Sequence, residues 1–402
     1  EPGALISVGC RSFELHSLIG VGSFGSVWRA SCNDSGATVA LKEILTLSKE
    51  SMEAAKLEAQ RLHALRDLIQ DTHRSPALPH LLAAATTNHG TGYRTVMVME
   101  QVAGEPLKGA LEGGQLLIPT GHPVAQAFHF VSEMLQQLAS IMQPLSKRFL
   151  HRDANSQNIL VQASSGQYEF GLIDFGLAID ATSFRCGGWR ELGAAGDGRF
   201  WTKSSWIVFT CGPDALSQDL QWEYRTQLDF HSVGLSALQA FVVLAFCEDS
   251  GFHDEHCKVI MQSLRALRQA WTQYWSFASA CWDRVLDAFN KDARGEVKAT
   301  LREEMVHETF GAHLVNLREK LTEVQASLKS TEMAGGRIGD LAMARQVVEA
   351  LLLMIAPRPC NSDDWEKVLQ AFGLAPPIQT GSPAGIAAVD DQALRVEAPG
   401  KW

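Results

Sequence analysis

The sequence predicts an α+β chain in two lobes, and three observations carry that prediction. Short β-rich runs punctuated by glycine fill residues 11–48. Helical periodicity dominates after a glycine and proline break at Gly104-Glu105-Pro106. The 402 residues are 46% hydrophobic and 20% charged, which supplies a large core and excludes wholesale disorder. Sheet first and helices afterwards belongs to segregated α+β architectures, not to alternating βα units.

Each element follows from its own pattern. Phe13-Glu14-Leu15-His16, Ser26-Val27-Trp28-Arg29-Ala30 and Thr38-Val39-Ala40-Leu41-Lys42 read as an antiparallel meander. Over 49–69 the apolar Met52, Ala55, Leu62, Leu65 and Ile69 recur at three- and four-residue steps, which predicts an amphipathic helix. A strand is expected over 93–100. Beyond the break, 129–142 has helical spacing and 229–246 is the most apolar helix. A charged helical stretch follows over 253–330 and carries Trp271, Trp275 and Trp282. The last helices are expected over 341–355 and 363–372. From Pro376 onward Pro, Gly, Ala and Ser take over, which predicts a mobile tail.

Composition narrows the function classes. The net charge is −10, from 35 basic and 45 acidic residues, and argues against nucleic acid or an anionic membrane as partner. Eight cysteines are scattered without a CxxC pair or metal-ligand spacing, which suits free thiols in a reducing compartment. Cytoplasm or nucleus is therefore the expected location. The apolar run 233–247 contains Ser236 and Gln239 and is too short and too polar for a membrane span, so it reads as a buried core helix. The chain opens at Glu1 rather than Met, and a fragment of a longer protein is expected.

Four motifs carry chemistry. In Gly20-Val21-Gly22-Ser23-Phe24-Gly25-Ser26-Val27, glycines let a hairpin bring backbone N–H groups up to phosphate oxygens. Dinucleotide folds use the same spacing to open a helix, whereas here Ser26–Ala30 reads as strand. A second strand ends at Lys42. Glu53 and Glu58, on the helix that follows, compete as its partner. Glu58 is preferred because Leu62, one turn further on, then points inward. The third and fourth motifs are His151-Arg152-Asp153-Ala154-Asn155-Ser156-Gln157-Asn158-Ile159-Leu160-Val161 and Gly171-Leu172-Ile173-Asp174-Phe175-Gly176.

In this order, and in these elements, the four motifs resemble those of the eukaryotic protein kinase family. The similarity extends outward. Val98-Met99-Glu100-Gln101-Val102 is similar to the family's hinge, Asp229-Phe230-His231-Ser232-Val233-Gly234 to the opening of its buried central helix, and Ala356-Pro357-Arg358-Pro359 to the stretch whose arginine clamps the activation segment. The resemblance covers about 11–375. It implies a leader over 1–10 and an N-lobe over 11–101, a small antiparallel sheet with one helix. A large helical C-lobe over 102–375 then holds an activation segment at 174–214 and a helical insertion at about 252–340. A flexible tail over 376–402 closes the chain.

The resemblance also implies ATP with Mg²⁺, or Mn²⁺ in its place, and a protein substrate. Asp153 would orient the substrate hydroxyl, and Asn158 and Asp174 would be the hard oxygen ligands that magnesium prefers. Lys42, steadied by Glu58, would hold the α- and β-phosphates. Gly20, Val21, Gly22, Ser23, Phe24, Gly25 and Val27 would cover the nucleotide. Ala40 and Leu160 would line the adenine, with Met99 as gatekeeper and the backbone of Glu100, Gln101 and Val102 facing its edge. Asp229 would receive backbone N–H groups of the catalytic loop.

The match departs from the family at two places. Asn155 stands where serine/threonine kinases carry lysine, and Gln157 where tyrosine kinases carry arginine. Losing one such donor costs about 3 kcal/mol, about a hundredfold in rate, less whatever a neutral Asn155 hydrogen bond restores. The expectation is a slow kinase, with serine/threonine specificity on base rates; the alternative is an inert nucleotide-binding scaffold. No APE triplet is present. Thr202-Lys203-Ser204 and Gly212-Pro213-Asp214 compete for its place, and the second is preferred because Asp214 can pair with Arg358. Arg152 beside Asp153 implies control by a phosphate on the segment, with Thr182, Thr202, Ser204 and Ser205 as candidates. Trp271, Trp275 and Trp282 form one stripe, either docked on the lobe or binding a regulator or substrate protein.

Overall fold

The computed structural model describes the chain except residues 23–24, 67, 69–76, 115, 117–121, 165, 247–254, 292–293, 307–308, 334–340, 356–363 and 375–402. Ile69, Arg358 and the expected tail lie outside the described residues. Two compact units divide the rest: Glu1–Ala103 with Gly171–Ala178, and Gly104–Phe170 with 179–374.

The first unit is an antiparallel sheet with one helix. Its strands are β1 (Leu5–Val8), β2 (Arg11–Gly22), β3 (Gly25–Cys32), β4 (Thr38–Thr46), β5 (Leu81–His89) and β6 (Gly92–Glu100), in the order β1-β2-β3-β4-β6-β5. The segment 1–10, expected as a leader, supplies the edge strand β1, with Ile6 opposite Phe13. β5 was not expected either. Its sequence LLAAATTNH lacks the large alternating side chains of a half-buried strand, and it owes its place to pairing with β6.

Side-chain alternation sorts β4 into two faces. Val39 and Leu41 join Phe13, Leu15, Val96 and Val98 in the core of one face. Ala40 and Lys42 therefore point to the other. Helix α1 (Lys49–Leu65) is capped by Ser48, whose hydroxyl accepts from the Ser51 N–H at 3.1 Å. It packs on β4, β5 and β6 and buries Met52, Ala55, Glu58, Ala59, Leu62 and Leu65. One polar residue on an otherwise apolar face marks a carboxylate with a partner.

The second unit is mostly helical. A short strand β7 (Glu105–Pro106) leads into α2 (Leu107–Gly113) and the long α3 (Pro123–Arg148). The strands β8 (Phe149–Leu150), β9 (Ile159–Ser164), β10 (Gln167–Leu172) and β11 (Ile179–Asp180) frame the third and fourth motifs. Then come α4 (Ala181–Arg185), α5 (Lys203–Cys211), α6 (Gln218–Thr226) and α7 (Leu228–Ala245). The insertion forms α8 (Glu255–Asn290), α9 (Arg294–Val306) and α10 (Thr309–Met333), and α11 (Leu341–Ile355) and α12 (Asp364–Ala371) close the unit.

α7 is the spine of this unit, with α3 and α11 packed on it and Phe128 of α3 set 4.6 Å from Phe241. Its length and hydropathy would suffice to cross a membrane, yet 83% of it is buried inside the fold, as a core helix is. α8 and α10 pack along each other. Trp271 is buried, while Trp275 and Trp282 are half-buried against Phe200 and Trp201 of the activation segment. These are the contacts of a stripe docked on its own chain.

Candidate functional site

In the first unit the buried Lys42 ammonium donates to Glu58 Oε1 at 2.7 Å and to Asp174 Oδ1 at 2.9 Å. Lys42 sits on β4 opposite Val27 and Met97, on the face that α1 covers. Burial works against its charge, but the carboxylates of Glu58 and Asp174 outweigh it and hold Lys42 above its usual range. Glu53, the competing carboxylate, pairs with Lys56 at 3.2 Å. Asp174 adopts a left-handed backbone with φ +63°, a conformation that costs about 1–3 kcal/mol in a non-glycine residue. Its Oδ1 also accepts the Gly176 N–H at 3.3 Å.

The glycine motif closes β2 and β3 as a hairpin in which Gly22 faces Gly25 and Gly20 faces Val27. It opens no helix, so the dinucleotide arrangement does not apply. Ser23 and Phe24, at its tip, lie outside the described residues. Val21 is 74% exposed at the rim. Ala40 and Met99 are buried neighbours across β4 and β6. The Glu100 N–H is taken by the His80 carbonyl at 2.9 Å, and its carboxylate is hydrogen-bonded to His80 Nδ1 at 2.9 Å. Among the described residues no backbone hydrogen bond engages Gln101 or Val102. His80 escaped the sequence reading because nothing in its neighbourhood marks it.

In the second unit the loop 151–158 is built around Asp153. Asp229, at the start of α7, accepts the N–H groups of His151 and Arg152, each at 2.7 Å. This pays for the left-handed Arg152, φ +67°. Burial pushes the Asp229 carboxyl up, against the pull of His151 and of those two N–H groups. Ser232, one turn along α7, donates to the Ala154 carbonyl at 2.9 Å. The loop thus rests on the most buried helix of the unit.

The Asp153 carboxylate accepts three hydrogen bonds: from Asn155 Nδ2 at 2.6 Å, from Asn158 Nδ2 at 2.8 Å and from the Asp197 N–H at 3.0 Å. Asn155 is 1% exposed, and its own Oδ1 accepts the Gln157 N–H. Both bonds of the Asn158 side chain use its nitrogen, leaving the amide oxygen as a hard donor of the kind Mg²⁺ takes. Leu160 is buried on β9. Arg152 Nη2 donates to the Gly193 carbonyl.

The activation segment supplies residues that the sequence reading missed. Asp197 grips Arg199 through both carboxylate oxygens and reaches Gln157 Nε2 at 3.3 Å. Nothing in the sequence around Asp197 marks it as a partner of the catalytic-loop motif. Asp214, preferred as the segment's closing carboxylate, is exposed on the short turn Pro213–Ala215, and Arg358 lies outside the described residues. The competing Thr202-Lys203-Ser204 opens α5 instead. Thr202 caps that helix by accepting the Ser205 N–H, and the Ser204 N–H goes to Glu223 of α6 at 2.8 Å. Thr202, Ser204 and Ser205 are all buried; Thr182 is exposed.

The sequence profile of the family described as "Protein kinase domain" matches residues 13–306. Among curated proteins the chain is similar to serine/threonine-protein kinase 36 of Pongo abelii, 32% identical over 42% of this chain and 11% of that one. It is 26% identical to a probable cyclin-dependent kinase 9 of Caenorhabditis elegans, over 56% of this chain and 42% of that one. It is 30% identical to serine/threonine-protein kinase PknA of Mycobacterium tuberculosis, over 41% and 35%. The matches therefore span less than half the length of each of these relatives. A solved kinase domain aligns with a TM-score of 0.43 at 15% identity, over 65% of this chain and 72% of that one.

Proposed function

Since the chain belongs to the protein kinase family, we propose that it is a working enzyme which transfers the γ-phosphate of ATP to a serine or threonine hydroxyl of a protein. The observation that carries this reading is the assembled ion-pair set Lys42–Glu58 and Lys42–Asp174, at 2.7 and 2.9 Å. In kinases the lysine pair and the DFG aspartate must both be in place for transfer. Serine/threonine preference leans on the names of the similar proteins, two of which are serine/threonine-protein kinases.

Protein kinases use ATP with a divalent metal, and the family's two ligand positions carry Asp174, a carboxylate, and Asn158, an amide, each the kind of hard oxygen donor that Mg²⁺ takes. The metal, when bound, neutralises phosphate charge. Lys42 orients the α- and β-phosphates, the Gly20–Gly25 hairpin covers them with backbone N–H groups, and Met99 bounds the adenine. Asp153 holds the incoming hydroxyl by its proton, with its orientation set by Asn155 and Asn158. Phosphoryl transfer asks for positioning and charge neutralisation more than for covalent help.

A second reading, a scaffold that binds nucleotide without transfer, draws on one observation. The position of the usual loop cation holds Asn155, and its amide is directed at Asp153. The two readings part when the chain is incubated with labelled Mg·ATP and a mixed peptide pool. Label on serine or threonine, lost in Asp174→Ala, supports the enzyme. Label confined to tyrosine contradicts the specificity, and nucleotide bound without any label favours the scaffold.

A further inference from the structure

The insertion reaches Asp153 through a continuous set of contacts. Tyr274 of α8, fully buried, donates its hydroxyl to the Arg199 carbonyl at 3.0 Å. Trp275 meets Phe200 edge-on at 5.4 Å, and the Arg199 guanidinium lies 5.5 Å from its ring centroid. Trp282 meets Trp201 at 5.5 Å and covers Gly198 so closely that a Cβ there would fall 2.5 Å from its ring. Each of these side chains grips the turn 198–201.

That turn is coupled to the loop that holds Asp153. Arg199 and Gln157 share the Asp197 carboxylate, and Trp201 Nε1 donates to the Ala195 carbonyl at 2.8 Å. The Asp197 N–H then donates to Asp153 Oδ1. Gly196, at φ +85°, permits this approach: any Cβ would sit 2.5 Å from the Arg152 carbonyl and 2.7 Å from Asp153 Oδ1. Meanwhile the hydroxyls of Thr202, Ser204 and Ser205 are buried and bonded to one another, and the Arg152 side chain donates to Gly193. The segment is seated by aromatic packing and backbone hydrogen bonds.

We propose that the Tyr274, Trp275 and Trp282 face of α8 positions Asp153, acting through the turn 198–201 and the Asp197 amide, and does so without a phosphate at Thr202, Ser204 or Ser205. The inference rests on the kinase reading above for its catalytic consequence, while the contact itself is a property of the fold. These three are positioning residues; none is assigned to substrate or nucleotide.

The test compares wild type, Trp282→Ala, Trp282→Phe and Tyr274→Phe, each treated with phosphatase. Two readouts are taken: hydrogen exchange of the amides over 194–201, and kcat with KM for ATP. In Trp282→Ala the exchange accelerates and kcat falls about a hundredfold, the scale of a misplaced catalytic group, with KM for ATP unchanged. Trp282→Phe restores most of both. Tyr274→Phe removes one hydroxyl and loses about fivefold, which keeps the test open should Trp282→Ala fail to fold. Unchanged exchange in Trp282→Ala and Tyr274→Phe overturns the proposal, as does a wild type that transfers phosphate only before phosphatase treatment. A wild type inactive in both forms overturns the kinase reading, and exchange alone then decides the contact.

Discussion

Asn155 stands where a phosphate-binding cation is usual in the family, and the structure gives it a different task. Almost fully buried, it spends its amide on Asp153 Oδ1 and its oxygen on the Gln157 N–H. Asn155→Ala should therefore lower kcat about tenfold through loss of one oriented hydrogen bond near the reacting group, with KM for ATP unchanged; steady-state kinetics on both substrates checks this. Asp229 is the second residue whose role is now explicit. Asp229→Ala strands two N–H groups beneath a left-handed Arg152 and should cost about 3 kcal/mol in urea denaturation. Both residues stood in motifs already, so their identity was legible. Their partners were not, because a carboxylate with three donors looks the same in sequence as one with none.

At the scale of elements, α7 carries a titration. His231 is buried, and burial drives its pKa down to about 4, against the pull of the Met354 and Trp201 backbone carbonyls. In the unfolded chain the same group titrates near the ordinary histidine value of about 6.5. Between these values the unfolded state binds the extra proton, so stability is full above about 6.5 and declines as pH falls towards 4, by about 3 kcal/mol in all. Urea midpoints measured from pH 7 to pH 4 should show this loss, and His231→Gln should flatten it. A Ser48→Ala change, which removes the α1 cap, should cost about 1 kcal/mol in the same assay. Elements whose own periodicity is strong, such as α1 and α7, were readable. β1 and β5 were not, since each depends on a neighbouring strand.

Over the whole molecule, the order of four motifs was enough to read the fold, because each demands its own secondary structure and only one architecture supplies them in that sequence. What escaped was the direction in which the insertion faces. A tryptophan stripe at helical spacing shows that a face is buried, and only the fold shows that it is buried on the turn beside Asp197. Three features bear on the proposed transfer: the Lys42 ion pairs, the hydrogen-bonded Asp153 carboxylate and the seated activation segment. The most direct measurement is transfer of labelled γ-phosphate from Mg·ATP to a serine- and threonine-bearing peptide by the wild-type chain beside Asp153→Asn, with nucleotide binding followed in both. Slow, measurable transfer by the wild type, loss of at least about a hundredfold in the variant, and equal nucleotide binding are expected. Equal transfer by the two proteins, or nucleotide bound by both with no transfer from either, would contradict the role given to Asp153.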